Sequence, residues 1–140
     1  MTAIDSVIRS STGADRRKPW NSLFFNEDDK PLSVEQAGRY ATPLEMVRLA
    51  PSASNLQPWR IIKASEPDVF HFYIKRAPGM KQLFTMKADL QRVDIGIAMC
   101  HFELAADEEG LRGKWNTNNP LLRGMADKLE YITTWAGSNQ

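Results

Sequence analysis

The stretch LEMVRLAPSASNLQPWRII, residues Leu44–Ile62, holds a helix end, a loop and a strand start in nineteen positions. Thr42-Pro43-x-Glu45 reads as a capping box with proline at the first helical position. It predicts a helix from Pro43 to Leu49 with Leu44, Val47 and Leu49 toward the core. Pro51 ends that helix, because the residue before a proline avoids the helical region. Trp59 to Ala64 reads as a strand. Between them lies Ser52-Ala53-Ser54-Asn55, followed by Gln57, rich in hydrogen-bonding groups and without charge. Two readings of the loop follow from its chemistry. Ser hydroxyls, an Asn amide and free backbone N–H groups can bind phosphate or the edge of a heterocycle. The same side chains can instead satisfy their own backbone in a turn.

Upstream, Ser33-x-x-Gln36 forms an earlier capping box, and a break separates its helix from the next. Pro19–Phe25, PWNSLFF, is an aromatic cluster that must be buried, and NEDDKP after it has loop composition. Residues 3–10 read as a short helix, and Thr12–Lys18 as a polar, basic connector. Within it, Arg16-Arg17-Lys18 is a candidate phosphate clamp, because guanidinium groups grip phosphate bidentately. Downstream, Val69–Lys75 pairs with Trp59–Ala64 as an antiparallel hairpin through Ser65–Asp68. Phe70, Phe72 and Ile74 alternate with His71, Tyr73 and Lys75, which places His71 on the solvent side. Arg76–Lys87 is a basic connection. A long helix then opens at Asp89 or Leu90 and closes at Gly110. Val93, Ile97, Ala98, Leu104 and Ala105 make one apolar face and Ile95, Met99 and Phe102 another. A helix apolar on two sides is covered on both, here by a partner subunit or a missing domain. Gly113–Trp115 and Glu130–Ala136 read as further strands, with NTNNP a loop. The chain is one α+β domain over residues 1–140.

Composition narrows the function classes. A net charge of +1 over 140 residues exerts no long-range pull on nucleic acid or an acidic membrane. No apolar run is long enough to span a bilayer and no signal peptide is read, so cytoplasmic location is expected. The single cysteine, Cys100, rules out an internal disulfide and a multi-thiolate metal site, and no metal is expected. Cys100 and His101 are adjacent on a helix, so their side chains diverge and do not form a nucleophile–base pair. Cys100 reads as a buried thiol. Asp28-Asp29 and Glu108-Glu109 read as solvated charges. No G-x-S-x-G, Walker, H-E-x-x-H or G-x-G-x-x-G motif is present, and no residue is assigned as catalytic.

Taken in order, Arg16-Arg17, PLSVE (Pro31–Glu35), LEMVRLAPSASNLQPWRII and DIGIAMCHFELAADEEGLRGKW (Asp94–Trp115) resemble the nitroreductase family of FMN-dependent oxidoreductases. The A-P-S-x-x-N-x-Q-P-W core is the specific part, and the likeness runs from Arg16 to Trp115. The resemblance implies an antiparallel or mixed sheet with a long buried central helix, and a homodimer through the 90–110 helix. It implies FMN at the subunit interface, with NAD(P)H as electron donor and a small nitroaromatic or quinone as acceptor. Arg16 and Arg17 would hold the phosphate. Ser52, Ala53, Ser54, Asn55 and Gln57 would line the flavin from across the interface. The chain departs from the family in being shorter, with only Arg76–Lys87 where covering helices usually lie. Lys18-Pro19-Trp20 follows the arginine pair, and only Arg123 or Lys128 stands where C-terminal basic residues complete phosphate binding. The likeness is to the C-terminal half of a longer branch. The alternative expectation is therefore a flavin-free remnant acting as a ligand-binding or interaction module.

Overall fold

The computed structural model describes residues 3–4, 13, 15–76 and 89–138. Most of the helix expected over 3–10 and all of the Arg76–Lys87 connection except Arg76 lie outside the described residues.

Among the described residues five strands form one mixed sheet: β1 (Phe24–Asn26), β2 (Trp59–Lys63), β3 (Val69–Ile74), β4 (Gly113–Asn116) and β5 (Glu130–Gly137), in the order β1-β2-β3-β5-β4. The expected hairpin is present, with Ile61 opposite Phe72 and Ile62 opposite His71. β1 runs parallel to β2, Phe24 opposite Ile61. A parallel pair needs a crossover, which the two helices α1 (Val34–Ala37) and α2 (Ala41–Leu49) supply. The aromatic cluster thus contributes an edge strand, with Leu23 and Phe24 fully buried, that its composition did not announce. β5 lies between β3 and β4, antiparallel to both, with a register shift at Phe72/Tyr73 that skips Ile132.

The helix α3 (Leu90–Glu108) packs with α2 on one face of the sheet. Phe102 is the centre of this layer, its ring 5.2 Å from Phe72, 5.4 Å from Trp135 and 5.6 Å from both Tyr40 and Phe70. Truncating a buried phenylalanine so enclosed costs about 3–5 kcal/mol. Asp89 caps α3 by accepting from Arg92 N. At the other end Gly110, at φ 72°, lets Leu111 N donate to Ala106 O and Gly110 N to Asp107 O, the paired bonds of a Schellman ending.

Several expectations change on folding. The Ser33–Gln36 box forms as read. The Thr42 box does not, because the helix already begins at Ala41 and Thr42 sits inside its first turn; Glu45 instead pairs with Arg48. Leu49, read as core, is 45% exposed, whereas Leu44 and Val47 are fully buried. His71, read as solvent-side, is 6% exposed. The residues between β4 and β5 fold back over the second face of the sheet, burying Ile62, Tyr73 and Ala126 there beside Leu122, Leu129 and Tyr131. His71 Nδ1 meets Thr134 Oγ1 at 2.8 Å, and burial lowers its pKa below the ordinary histidine value. No helix among the described residues is long and apolar enough to cross a membrane.

Candidate functional site

The Ser52–Gln57 loop leaves α2 and enters β2, and its backbone is unusual. Ser54, Asn55 and Gln57 all have positive φ, at 52°, 52° and 49°. Left-handed non-glycine residues cost about 1–2 kcal/mol each, so the surroundings must enforce the shape. Ser52 Oγ accepts from Gln57 N at 2.9 Å, and Asp94 Oδ1, on α3, accepts from Ala53 N at 3.0 Å. Arg60, buried, donates to Gln57 O and Trp59 O at 2.9 and 2.7 Å, and burial lowers its pKa.

The loop also grips the arginine segment. Asn55 Nδ2 donates to Gly13 O at 2.6 Å and Arg16 O at 2.7 Å. Gln57 Oε1 accepts from Lys18 N at 2.7 Å, and its Nε2 donates to Asn55 Oδ1 at 3.1 Å. Arg17 returns the contact, donating to Leu49 O at 3.2 Å and Asn55 Oδ1 at 3.4 Å. The structure therefore brings the two predicted halves of the site together within one chain. Asn55 and Gln57 serve the neighbouring backbone, a third use that neither sequence reading named. Arg16 is exposed, and its side chain makes no hydrogen bond among the described residues. Ser54 is exposed, and its N–H and hydroxyl are unengaged among the described residues, while Ser52 keeps a hydroxyl hydrogen to give.

Asp94 and Arg60 were not picked out from the sequence. An acid inside the apolar run of α3 was the available signal for Asp94. It is 2% exposed, burial holds its carboxyl above the ordinary aspartate range, and its Oδ2 has no partner among the described residues. Gln91 Nε2 and Trp59 Nε1 are also buried without partners among the described residues. Other basic residues are committed elsewhere: Arg48 to Glu45, and Arg76 to Asp89 and Glu130. Arg123 lines a cavity with Tyr73 on the second face of the sheet, away from the face on which α3 meets the loop.

An FMN-sized anion can be matched against these donors. A guanidinium at Arg16 that is unengaged among the described residues suits a phosphate dianion, and the uncharged loop tip offers hydroxyls and one N–H to a neutral heterocycle edge. The residues fit the group. Among the described residues no set of three His, Cys, Asp or Glu is placed to hold a metal ion. Cys100, read as buried, is exposed; it lines an apolar groove of about 340 Å³ with Met46, His101 and Leu104 between α2 and α3.

A protein-family model described as "Putative TM nitroreductase" matches residues 4–106. No curated protein and no solved structure gives a match. The matched region contains the arginine segment, the loop, the β2–β3 hairpin and nearly all of α3.

Proposed function

Because the chain belongs to this nitroreductase family of oxidoreductases, we propose that it is an FMN-dependent oxidoreductase, taking electrons from NAD(P)H. The acceptor would be a small nitroaromatic or quinone. The observation that carries this reading is the junction of Arg16-Arg17 with the left-handed Ser52–Gln57 loop, joined by Asn55. When bound, FMN supplies the two-electron transfer, and the protein supplies binding and orientation. Arg16 grips the phosphate. Ser54 N–H and the Ser52 and Ser54 hydroxyls meet the uncharged part of the cofactor. Asn55 and Gln57 hold the arginine segment at the loop, and Asp94 fixes the loop to α3 through Ala53 N.

We also propose a homodimer through the 90–110 helix. Val93 and Leu104 are 56% and 61% exposed on its outer side, and Leu49 adds to them from α2. Each large apolar side chain left in water forgoes about 1.5–3 kcal/mol of burial.

Titration with FMN, followed by fluorescence quenching, tests the cofactor. Wild type binds, and Arg16→Ala binds about ten- to a hundredfold more weakly, the loss of one charge-assisted phosphate contact. Asn55→Ala loses two bonds to backbone carbonyls, about 2 kcal/mol in all, so its affinity falls together with its stability. Arg112→Ala is the neutral control. The second reading, a flavin-free interaction module, is favoured by the internal engagement of Asn55 and Gln57. Failure of the wild type to take up FMN at high micromolar concentration would establish it.

A further inference from the structure

Gln57 holds a backbone shape that its sequence context disfavours. Its φ is 49°, and Pro58 follows it. A residue before proline prefers extended backbone, and positive φ is costly for a residue with a side chain. The shape is therefore imposed from outside, at both ends of the residue. Ser52 Oγ accepts from Gln57 N at 2.9 Å, and Arg60 Nη1 donates to Gln57 O at 2.9 Å. Nη1 also donates to Trp59 O at 2.7 Å, so one guanidinium nitrogen ties carbonyls on either side of Pro58.

Arg60 is destabilising unless that tie matters. It is 8% exposed, no carboxylate pairs with it among the described residues, and burial alone lowers its pKa. A guanidinium stays charged at neutral pH, and a buried charge without an opposite charge costs stability. Its charge makes the bond to Gln57 O roughly twice as strong as a neutral one, and that carbonyl belongs to the strained residue.

The side chain of Gln57, 3% exposed, depends on this backbone. Its Oε1 accepts from Lys18 N at 2.7 Å, and its Nε2 donates to Asn55 O at 3.1 Å and Arg16 O at 3.4 Å. The oxygen meets an N–H and the nitrogen meets carbonyls, which leaves the amide one orientation. At the φ of about −120° that a residue before proline prefers, Cβ points elsewhere and the amide loses Lys18 N.

We propose that Arg60 is a positioning residue of the cofactor site: it holds Gln57 at positive φ, and through the Gln57 amide it keeps the backbone of Arg16 and Lys18 docked on the loop. What the docked segment serves rests on the reading that Arg16 grips the FMN phosphate; the docking itself does not. Arg60 acts through Gln57 and needs no contact of its own with the cofactor.

Amide hydrogen exchange, followed by NMR on the isotope-labelled full chain, tests the docking. Lys18 N–H is the reporter, and Leu111 N–H, which donates to Ala106 O at 2.8 Å, is the reference for overall stability. Arg60→Met raises the ratio of Lys18 to Leu111 exchange about tenfold or more, the loss of one charge-assisted bond. Arg60→Lys keeps a cationic donor and holds the ratio within about threefold of wild type. Gln57→Ala raises the ratio as Arg60→Met does, and adding Arg60→Met to it raises it no further, because the two act in series. Should Arg60→Met not fold, Arg60→Gln is read in its place, alone and with Gln57→Ala, with a rise of roughly threefold. An unchanged ratio in the variant that folds, no rescue by lysine, or additive rises in the double variant would overturn the proposal. FMN titration of the same variants separates it from the cofactor reading. Arg60→Met weakens FMN about tenfold. A wild type that takes up no FMN while the exchange ratio still responds ends the cofactor reading and keeps the docking role. A wild type that binds FMN no more tightly than Arg60→Met overturns the role of Arg60 in the site.

Discussion

Asp94 couples the central helix to the loop through a bond from Ala53 N, with its second oxygen buried and unpartnered among the described residues. Because burial raises its folded pKa above the ordinary 3.8, the folded chain keeps this proton at pH values where the unfolded chain has lost it. Stability from this group is thus fully present below about pH 3.8 and is lost as pH rises through the raised folded value. Asp94→Asn keeps an acceptor for Ala53 N and removes the titration. In urea unfolding the variant gains stability relative to wild type between pH 3.5 and pH 7; a difference that is the same at both pH values would contradict this. Its Oδ1 also sets the loop, so the same substitution leaves FMN affinity, where present, little changed, while Asp94→Ala lowers it.

At the scale of elements, two capping boxes of similar sequence had different fates, and the difference is measurable. Ser33 accepts from Gln36 N at 3.0 Å, and Gln36 Oε1 accepts from Ser33 N at 2.9 Å. Thr42 lies one residue inside α2 and caps nothing. Ser33→Ala therefore costs about 1 kcal/mol, whereas Thr42→Ala stays within about 0.5 kcal/mol of wild type. Chemical denaturation of both variants reads this directly, and equal losses would show that Thr42 caps the helix after all. The capping motif was legible because it needs only four consecutive residues. Which of two candidates becomes the cap depends on where the helix starts, and Tyr40 is fixed there by stacking 5.6 Å from Phe102 and by its hydroxyl accepting from Trp135 Nε1 at 3.1 Å.

For the whole molecule, the outer side of α3 is the open question of assembly. Leu104 is exposed in the single chain, so replacing it leaves the core intact. If the proposed homodimer forms through this helix, light scattering at micromolar concentration gives a dimer for wild type and a monomer for Leu104→Glu. Circular dichroism should be unchanged between them. A wild-type monomer across that range would remove the proposal.

The sequence by itself determined the hairpin, the long helix with its Asp89 start and Gly110 end, the Ser33 cap and the family. Each rests on local periodicity, short-range capping chemistry or a contiguous motif. Only the tertiary structure decided that Phe24–Asn26 is an edge strand, that His71 is buried and that Leu49 is not. It also decided that Asn55 binds the carbonyls of Gly13 and Arg16. These depend on what lies on the far side of each residue, which is set by segments tens of positions away. A strand's alternation separates its two faces, but it does not say whether the second face meets water or a returning segment such as 117–129.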